Sequence, residues 1–347
     1  MKQYEHGGLV YDTNGQLINY QDMSANINAL GLPPLVRKAI HQSIENVIHY
    51  PDVNATALKS SIARRYNVSV ENILTLNGAA EFFYLYFQVM KPKRVLIISP
   101  TFSEYERAAT AAGCEVKHFI TLEEDNFNIN FKNLKAELTD EDCVVLCRPN
   151  NPTGVMTRLN DVMRILKYAG SLIVDESFID FVQYARSMRQ QVSDNLTVVQ
   201  SLTKIYAIPG LRLGFAICSE AAVKRLEQAK DVWNVNVLAQ AAGIAALTDT
   251  EYIKRTHDWL KTETAYVTEQ LKRLNIKYYE PAANFVLMKF TDGETVERII
   301  NALLRKKIIV RKCENFVGLD GSFIRMAIKT HTENELALKV IANSLEV

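Results

Sequence analysis

The chain has 347 residues, Lys+Arg 40 against Asp+Glu 39 for a formal net charge of +1, with 48% hydrophobic and 23% charged residues. This profile excludes a disordered or collagenous chain, and it provides no overall field to attract nucleic acid or an anionic membrane, so neither is an expected partner. The length suits two domains rather than one. Five cysteines (Cys114, Cys143, Cys147, Cys218, Cys313) form no even framework. Cys143 and Cys147 lie in the apolar run CVVLCRP, which reads as buried thiols rather than a disulfide or metal ligands, and no metal is expected. The opening MKQYEHGGLVYD lacks an apolar signal-like stretch and no run is long enough to span a bilayer, so a cytoplasmic protein is expected.

In chain order, the first part (HGG, SANINALGLPP) is loop-rich, and residues 1–45 are expected to form an arm that covers the site. LTLNGAAEFFYLYF (74–87) then reads as a strand running into an apolar helix. The runs VLIIS (95–99), CEVKHF (114–119), CVVLCR (143–148), SLIVDE (171–176), TVVQSL (197–202) and GFAIC (214–218) alternate with helical stretches such as FSEYERAATAAG and LNDVMRILKYAG. Continuously apolar strands predict a mostly parallel α/β sheet covered on both faces, in a large domain spanning 46–240. Past a long helical region the texture changes to KYYEP, NFVLMKF, ETVERIINALLRKK, IIVRKC and FIRMAIK. This predicts a smaller α+β domain over 241–347.

QSLTKIYAIPGLRLG (200–214) places Ser201, Thr203, Lys204 and Arg212 between apolar segments. A lysine after an apolar strand is ordinarily a snorkelling surface residue. Lys204 gains meaning from Asp175, which ends the strand-like run SLIVDE, because ligands of α/β sheets bind beyond the carboxyl ends of the strands. A carboxylate and a lysine with no metal motif nearby suit a cofactor carrying a pyridine nitrogen and an aldehyde. Asp175 would keep the ring nitrogen protonated and Lys204 would form a Schiff base. The alternative for Asp175 is a helix N-cap. Ser201, Thr203 and Arg212 offer two hydroxyls and a guanidinium to a phosphate.

Asn77-Gly78-Ala79-Ala80 is a second candidate cradle, with the free N–H groups of a helix start and no Walker lysine after it. CRPNNPTG (147–154) enforces a tight loop after a buried strand, and Asn151 suits a phenolic oxygen. In SPTFSEYERA, Tyr105 stands near a helix start, either stacked on a planar cofactor or packed as a core aromatic.

Together, NGAAE, PTFSEY, RPNNPTG, IVDESF and SLTKIYAIPGLRLG resemble the fold-type I pyridoxal-phosphate enzymes, in the aminotransferase branch that contains histidinol-phosphate aminotransferase. The resemblance covers nearly the whole chain and implies the fold-type I transferase fold with pyridoxal 5′-phosphate as cofactor. It implies Lys204 as the attachment point, Asp175 as the pyridinium partner, Asn151 at the phenolic oxygen and Tyr105 stacked on the ring. Gly78, Ala79, Ser201, Thr203 and Arg212 would hold the cofactor phosphate. A homodimer is implied, with Tyr50 of HYPD (49–52) crossing to the partner's cofactor phosphate. Arg325 in SFIRMAIK would grip a substrate α-carboxylate.

Within this branch HGG (6–8), SANINALG (24–31) and ESFIDF (176–181) resemble the threonine-phosphate decarboxylases more than the aminotransferases. Phe178 stands where the aminotransferases carry a tyrosine bonded to the cofactor's phenolic oxygen. GAAEF departs from the more polar GxTE-type turn of the decarboxylases, at contacts made largely by backbone. Arg311 in IIVRKC, with His6, Gly7, Gly8 and Asn26, would hold the phosphate of a small phosphorylated amino-acid substrate; a glycine pair lets backbone amides approach an anion. A surface role for Arg311 and a disordered terminus at His6 are the alternatives. The implied activity is decarboxylation of threonine phosphate or serine phosphate, with histidinol-phosphate aminotransferase as the competing reading.

Overall fold

The computed structural model describes residues 6–8 and 10–345. Its large sheet has seven strands: β1 (Ile73–Leu76), β2 (Arg94–Ser99), β3 (Glu115–Ile120), β4 (Asp142–Cys147), β5 (Ser171–Asp175), β6 (Leu196–Ser201) and β7 (Gly214–Ile217). Their spatial order is β1-β7-β6-β5-β4-β2-β3. Only β7 runs antiparallel to its neighbours, so the sheet is mostly parallel, as the apolar runs predict.

Every residue of β4, β6 and β7 is buried, which is why these strands read as unbroken hydrophobic runs. Side chains of β2 alternate between two cores. Val95 and Ile97 join Phe82, Phe83 and Tyr105 on one face, while Leu96 and Ile98 join Leu134, Val162 and Ile165 on the other. The edge strand β3 is only partly buried, which accounts for its mixed composition.

The C-terminal part builds an antiparallel sheet from β8 (Lys277–Tyr279), β9 (Phe285–Lys289), β10 (Arg311–Lys312) and β11 (Phe323–Ala327), in the order β10-β11-β9-β8. Helices 250–273, 293–305 and 331–345 accompany it. Near the N-terminus, Gln21–Asp22 pairs in parallel with Ile308–Ile309 instead of joining the large sheet. One core continues from Met23 and Val36 through Leu202 and Phe285 to Ile341. The site lies where the carboxyl ends of β2, β4, β5 and β6 meet this N-terminal segment and the antiparallel sheet.

Candidate active site

Just beyond β6, Ser201 caps a single helical turn, Leu202–Ile205, and its Oγ lies 2.7 Å from Thr203 Oγ1. Lys204 projects from this turn. Its carbonyl accepts the Asn28 N–H at 3.1 Å, while Asn28 Nδ2 donates to Ile205 O and Thr256 Oγ1 at 2.8 Å each. These bonds lock the lysine-bearing turn to the N-terminal segment.

Lys204 opens into a cavity of about 410 Å³. Asp175, Tyr105, Asn151 and Phe178 line it from strand ends, as do Ala79, Ser201, Thr203 and Arg212. His6, Gly7, Asn26, Arg311 and Arg325 line it as well. Three expected residues stand back from it: Gly8, Gly78 and Tyr50. The Gly8 N–H donates to Ser24 Oγ at 2.8 Å. Tyr50 is 77% exposed and stacks on Trp233 with ring centroids 4.2 Å apart.

Burial pushes the Lys204 ammonium below its usual range; the Asp175 carboxylate opposes the shift and the Arg212 charge adds to it. The Phe178 ring lies 5.3 Å from Lys204 Nζ and packs edge-on against Phe285. Asp175 is held at both oxygens. The Tyr105 hydroxyl donates to Oδ2 at 2.6 Å and the Ser177 N–H to Oδ1 at 2.8 Å. The next helical turn, Ile179–Phe181, is preceded by Phe178 and not by Asp175, so Asp175 holds the Ser177 N–H in a turn at the cavity wall and is not a helix N-cap. Burial, reinforced by the Asp175 charge, drives the Tyr105 hydroxyl well above the ordinary phenol range, so it remains a donor.

The helix after Gly78 begins without a side-chain cap, leaving N–H groups for an anion. Gly78 has φ +82°, and a Cβ there would stand 2.2 Å from Arg212 Nη2. Gly214, quoted in the motif but given no role from sequence, has a close-packing one: its Cβ would meet Ala79 N at 2.6 Å.

Arg325 is buried and donates to Asn151 Oδ1 and to the Ser24 carbonyl. Burial lowers its pKa to about 10, which leaves it charged at neutral pH. Arg311 is also buried; it donates to Asn315 Oδ1 at 2.7 Å and packs over Phe316. Gly7 packs so closely on the Ser24 carbonyl that a Cβ would come within 2.2 Å of its oxygen. His6 Nε2 meets Glu104 Oε1 at 2.9 Å.

Sequence reasoning missed Ser24, Ser177 and Glu104. Ser24 and Ser177 lay inside quoted motifs without marking themselves as wall residues. Three buried polar atoms at the cavity, Ser177 Oγ, Asn26 Oδ1 and Arg325 Nε, have no hydrogen-bond partner among the described residues. Such atoms are costly unless a ligand meets them. With a depressed lysine, a fixed carboxylate and a hydroxyl–guanidinium–helix-start cluster, they fit pyridoxal 5′-phosphate.

Comparison with known proteins supports the same conclusion. The family model for aminotransferase class I and II matches residues 18–341. A threonine-phosphate decarboxylase of Salmonella typhimurium is 36% identical over 93% of this chain and 91% of its own length. The histidinol-phosphate aminotransferase of Clostridium acetobutylicum superposes with a TM-score of 0.86 at 31% identity, covering 94% of this chain and 100% of that one. The L-threonine-O-3-phosphate decarboxylase of Porphyromonas gingivalis superposes with a TM-score of 0.82 at 25% identity, covering 94% and 99%. The chain belongs to the aminotransferase class I and II family of pyridoxal-phosphate-dependent enzymes.

Proposed function

We propose that this enzyme decarboxylates L-threonine O-3-phosphate to (R)-1-amino-2-propanol O-2-phosphate for cobalamin biosynthesis, in the cytoplasm and as a homodimer. The observation that carries the reading is the pair Arg311 and Arg325, two buried guanidiniums lining one cavity beside Lys204. A substrate with a carboxylate and a phosphate answers both charges. Histidinol phosphate has no carboxylate. The Salmonella relative, named for this reaction, supports the choice, as does an apolar ring at Phe178.

In this reading the arm (1–45), large domain (46–240) and small domain (241–347) work together. Ser201, Thr203, Arg212 and the turn at Gly78–Ala79 hold the cofactor phosphate, with Tyr50 reaching it from the partner subunit. Asp175, steadied by Tyr105, keeps the ring nitrogen protonated, and Asn151 serves the phenolic oxygen. The bound cofactor supplies an electron sink for the charge left at the substrate α-carbon. Arg325 would orient the carboxylate that leaves as carbon dioxide, and Arg311, His6, Gly7 and Asn26 would hold the substrate phosphate, with Gly8 bonded to Ser24 Oγ behind them. Lys204 would deliver a proton from Nζ to the substrate α-carbon. L-Serine O-phosphate would follow the same course, since one methyl group discriminates by only about 1–3 kcal/mol.

The competing reading, histidinol-phosphate aminotransferase, is favoured by the Clostridium structure. Purified enzyme loaded with cofactor is given threonine phosphate without any keto acid. Carbon dioxide release and an amine phosphate product are expected. No release, with keto-acid-dependent turnover of histidinol phosphate, would overturn the proposal.

A further inference from the structure

Glu104 begins the helix Glu104–Ala111, immediately before Tyr105. It is 8% exposed, an unusual place for a carboxylate without dedicated partners. Tyr84 OH donates to Oε2 at 2.7 Å, Arg107 Nη1 lies 3.4 Å from Oε1, and His6 Nε2 meets Oε1 at 2.9 Å. Burial opposes ionisation of Glu104, but the His6 and Tyr84 bonds outweigh it and hold its carboxyl at about 2. The group is therefore an anion at every working pH.

His6 lines the cavity, and its ring lies 5.6 Å from that of Phe102. Its position is fixed through the adjoining residues as well: Gly7 abuts the Ser24 carbonyl, Gly8 bonds Ser24 Oγ, and Ser24 O accepts from Arg325. The Glu104 contact engages one of the two ring nitrogens and so fixes the ring's orientation at the wall.

We propose that Glu104 is a positioning residue: its carboxylate, steadied by Tyr84, fixes the His6 ring at the cavity wall so that the N-terminal arm presents it to the substrate phosphate. The inference rests on the reading that the substrate is a phosphorylated amino acid. The 2.9 Å contact between His6 Nε2 and Glu104 Oε1 carries it.

Holoenzyme, Glu104→Gln, Glu104→Asp and His6→Ala are compared for threonine phosphate turnover. Glu104→Gln is expected to raise KM about tenfold near neutral pH, the worth of one charge-assisted bond, with kcat changed far less. Glu104→Asp should recover part of the affinity, and Glu104→Gln in a His6→Ala background should add nothing further. An unchanged KM in Glu104→Gln, or a fall in kcat as large as the rise in KM, would overturn the inference while leaving the decarboxylase reading intact. If the unaltered enzyme does not turn over threonine phosphate, that reading fails instead. Calorimetric binding of inorganic phosphate then decides: weaker binding by Glu104→Gln supports the role, and equal binding rejects it.

Discussion

Arg311 and Arg325 are register partners across the antiparallel strands β10 and β11, and both guanidiniums line the same cavity as Lys204. Burial is the main cause of the lowered Arg325 pKa, and the Arg311 charge contributes to it. Two buried cations lining one cavity favour a ligand with two negative groups.

The two arginines should therefore fail differently. Arg325→Lys keeps charge but loses the fork that now reaches Asn151 and Ser24, and kcat/KM should fall about tenfold or more. Arg311→Met should raise KM for threonine phosphate while leaving the weak handling of unphosphorylated threonine unchanged. Steady-state kinetics on both substrates separates the cases. Equal losses on both substrates in Arg311→Met would remove Arg311 from phosphate recognition.

Lys204 offers a prediction about pH whose sign is set by its neighbours. Only the neutral amine attacks an aldehyde, so cofactor attachment to the apo-enzyme should speed up as pH rises through the lysine pKa. Asp175 holds that pKa up and Arg212 holds it down, against the larger lowering by burial. Asp175→Asn should move the rising limb to lower pH and Arg212→Gln to higher pH, read by stopped-flow absorbance. Limbs moving in the same direction would contradict this electrostatic picture. Lys204→Ala should show no covalent attachment by mass spectrometry after borohydride reduction.

The parts legible in the sequence are those with local causes. CVVLC and TVVQS announce central strands because each is buried on both faces. Lys204, Asp175 and Asn151 stand out because they lie at or within a few residues of the carboxyl ends of such strands. Contacts made by distant segments had no local signal. Glu104 and His6 are 98 positions apart, and Ser24 and Arg325 are 301 apart. Tyr105 reads from the sequence as an aromatic against a cofactor or in the core, and its bond to Asp175 is not legible there, because that bond depends on how β2 and β5 are spaced in the sheet. The facing of Arg311 and Arg325 depends on register, which IIVRKC and FIRMAIK do not disclose separately.

Gly78 tests the phosphate cradle without replacing a charged residue. Its φ of +82° disfavours any L side chain, and a Cβ would collide with the Arg212 guanidinium. Gly78→Ala should cost about 1–2 kcal/mol in stability from the backbone alone. It should also weaken cofactor retention, measured by absorbance after dialysis. Because the clash already displaces Arg212, adding Arg212→Gln should bring little further loss of retention. Fully additive losses would mean that the two residues act on the cofactor separately.

Tyr50 bears on the proposed dimer. It is exposed with Ile48 and stacks on Trp233, itself 45% exposed, which forms an apolar patch of the kind that marks an interface. If Tyr50 serves the partner's site, Tyr50→Ala and Lys204→Ala homodimers are each defective at both sites. A mixed dimer, made by unfolding and refolding the two together, contains one site with an intact Lys204 and an intact Tyr50 from the other subunit. Activity should therefore reappear on mixing two crippled proteins, in step with the amount of mixed dimer isolated by dual affinity tags. Purified mixed dimer no more active than Tyr50→Ala alone would place Tyr50 outside the neighbouring site. Sedimentation of each variant as a dimer would show that this result reflects the site and not failed assembly.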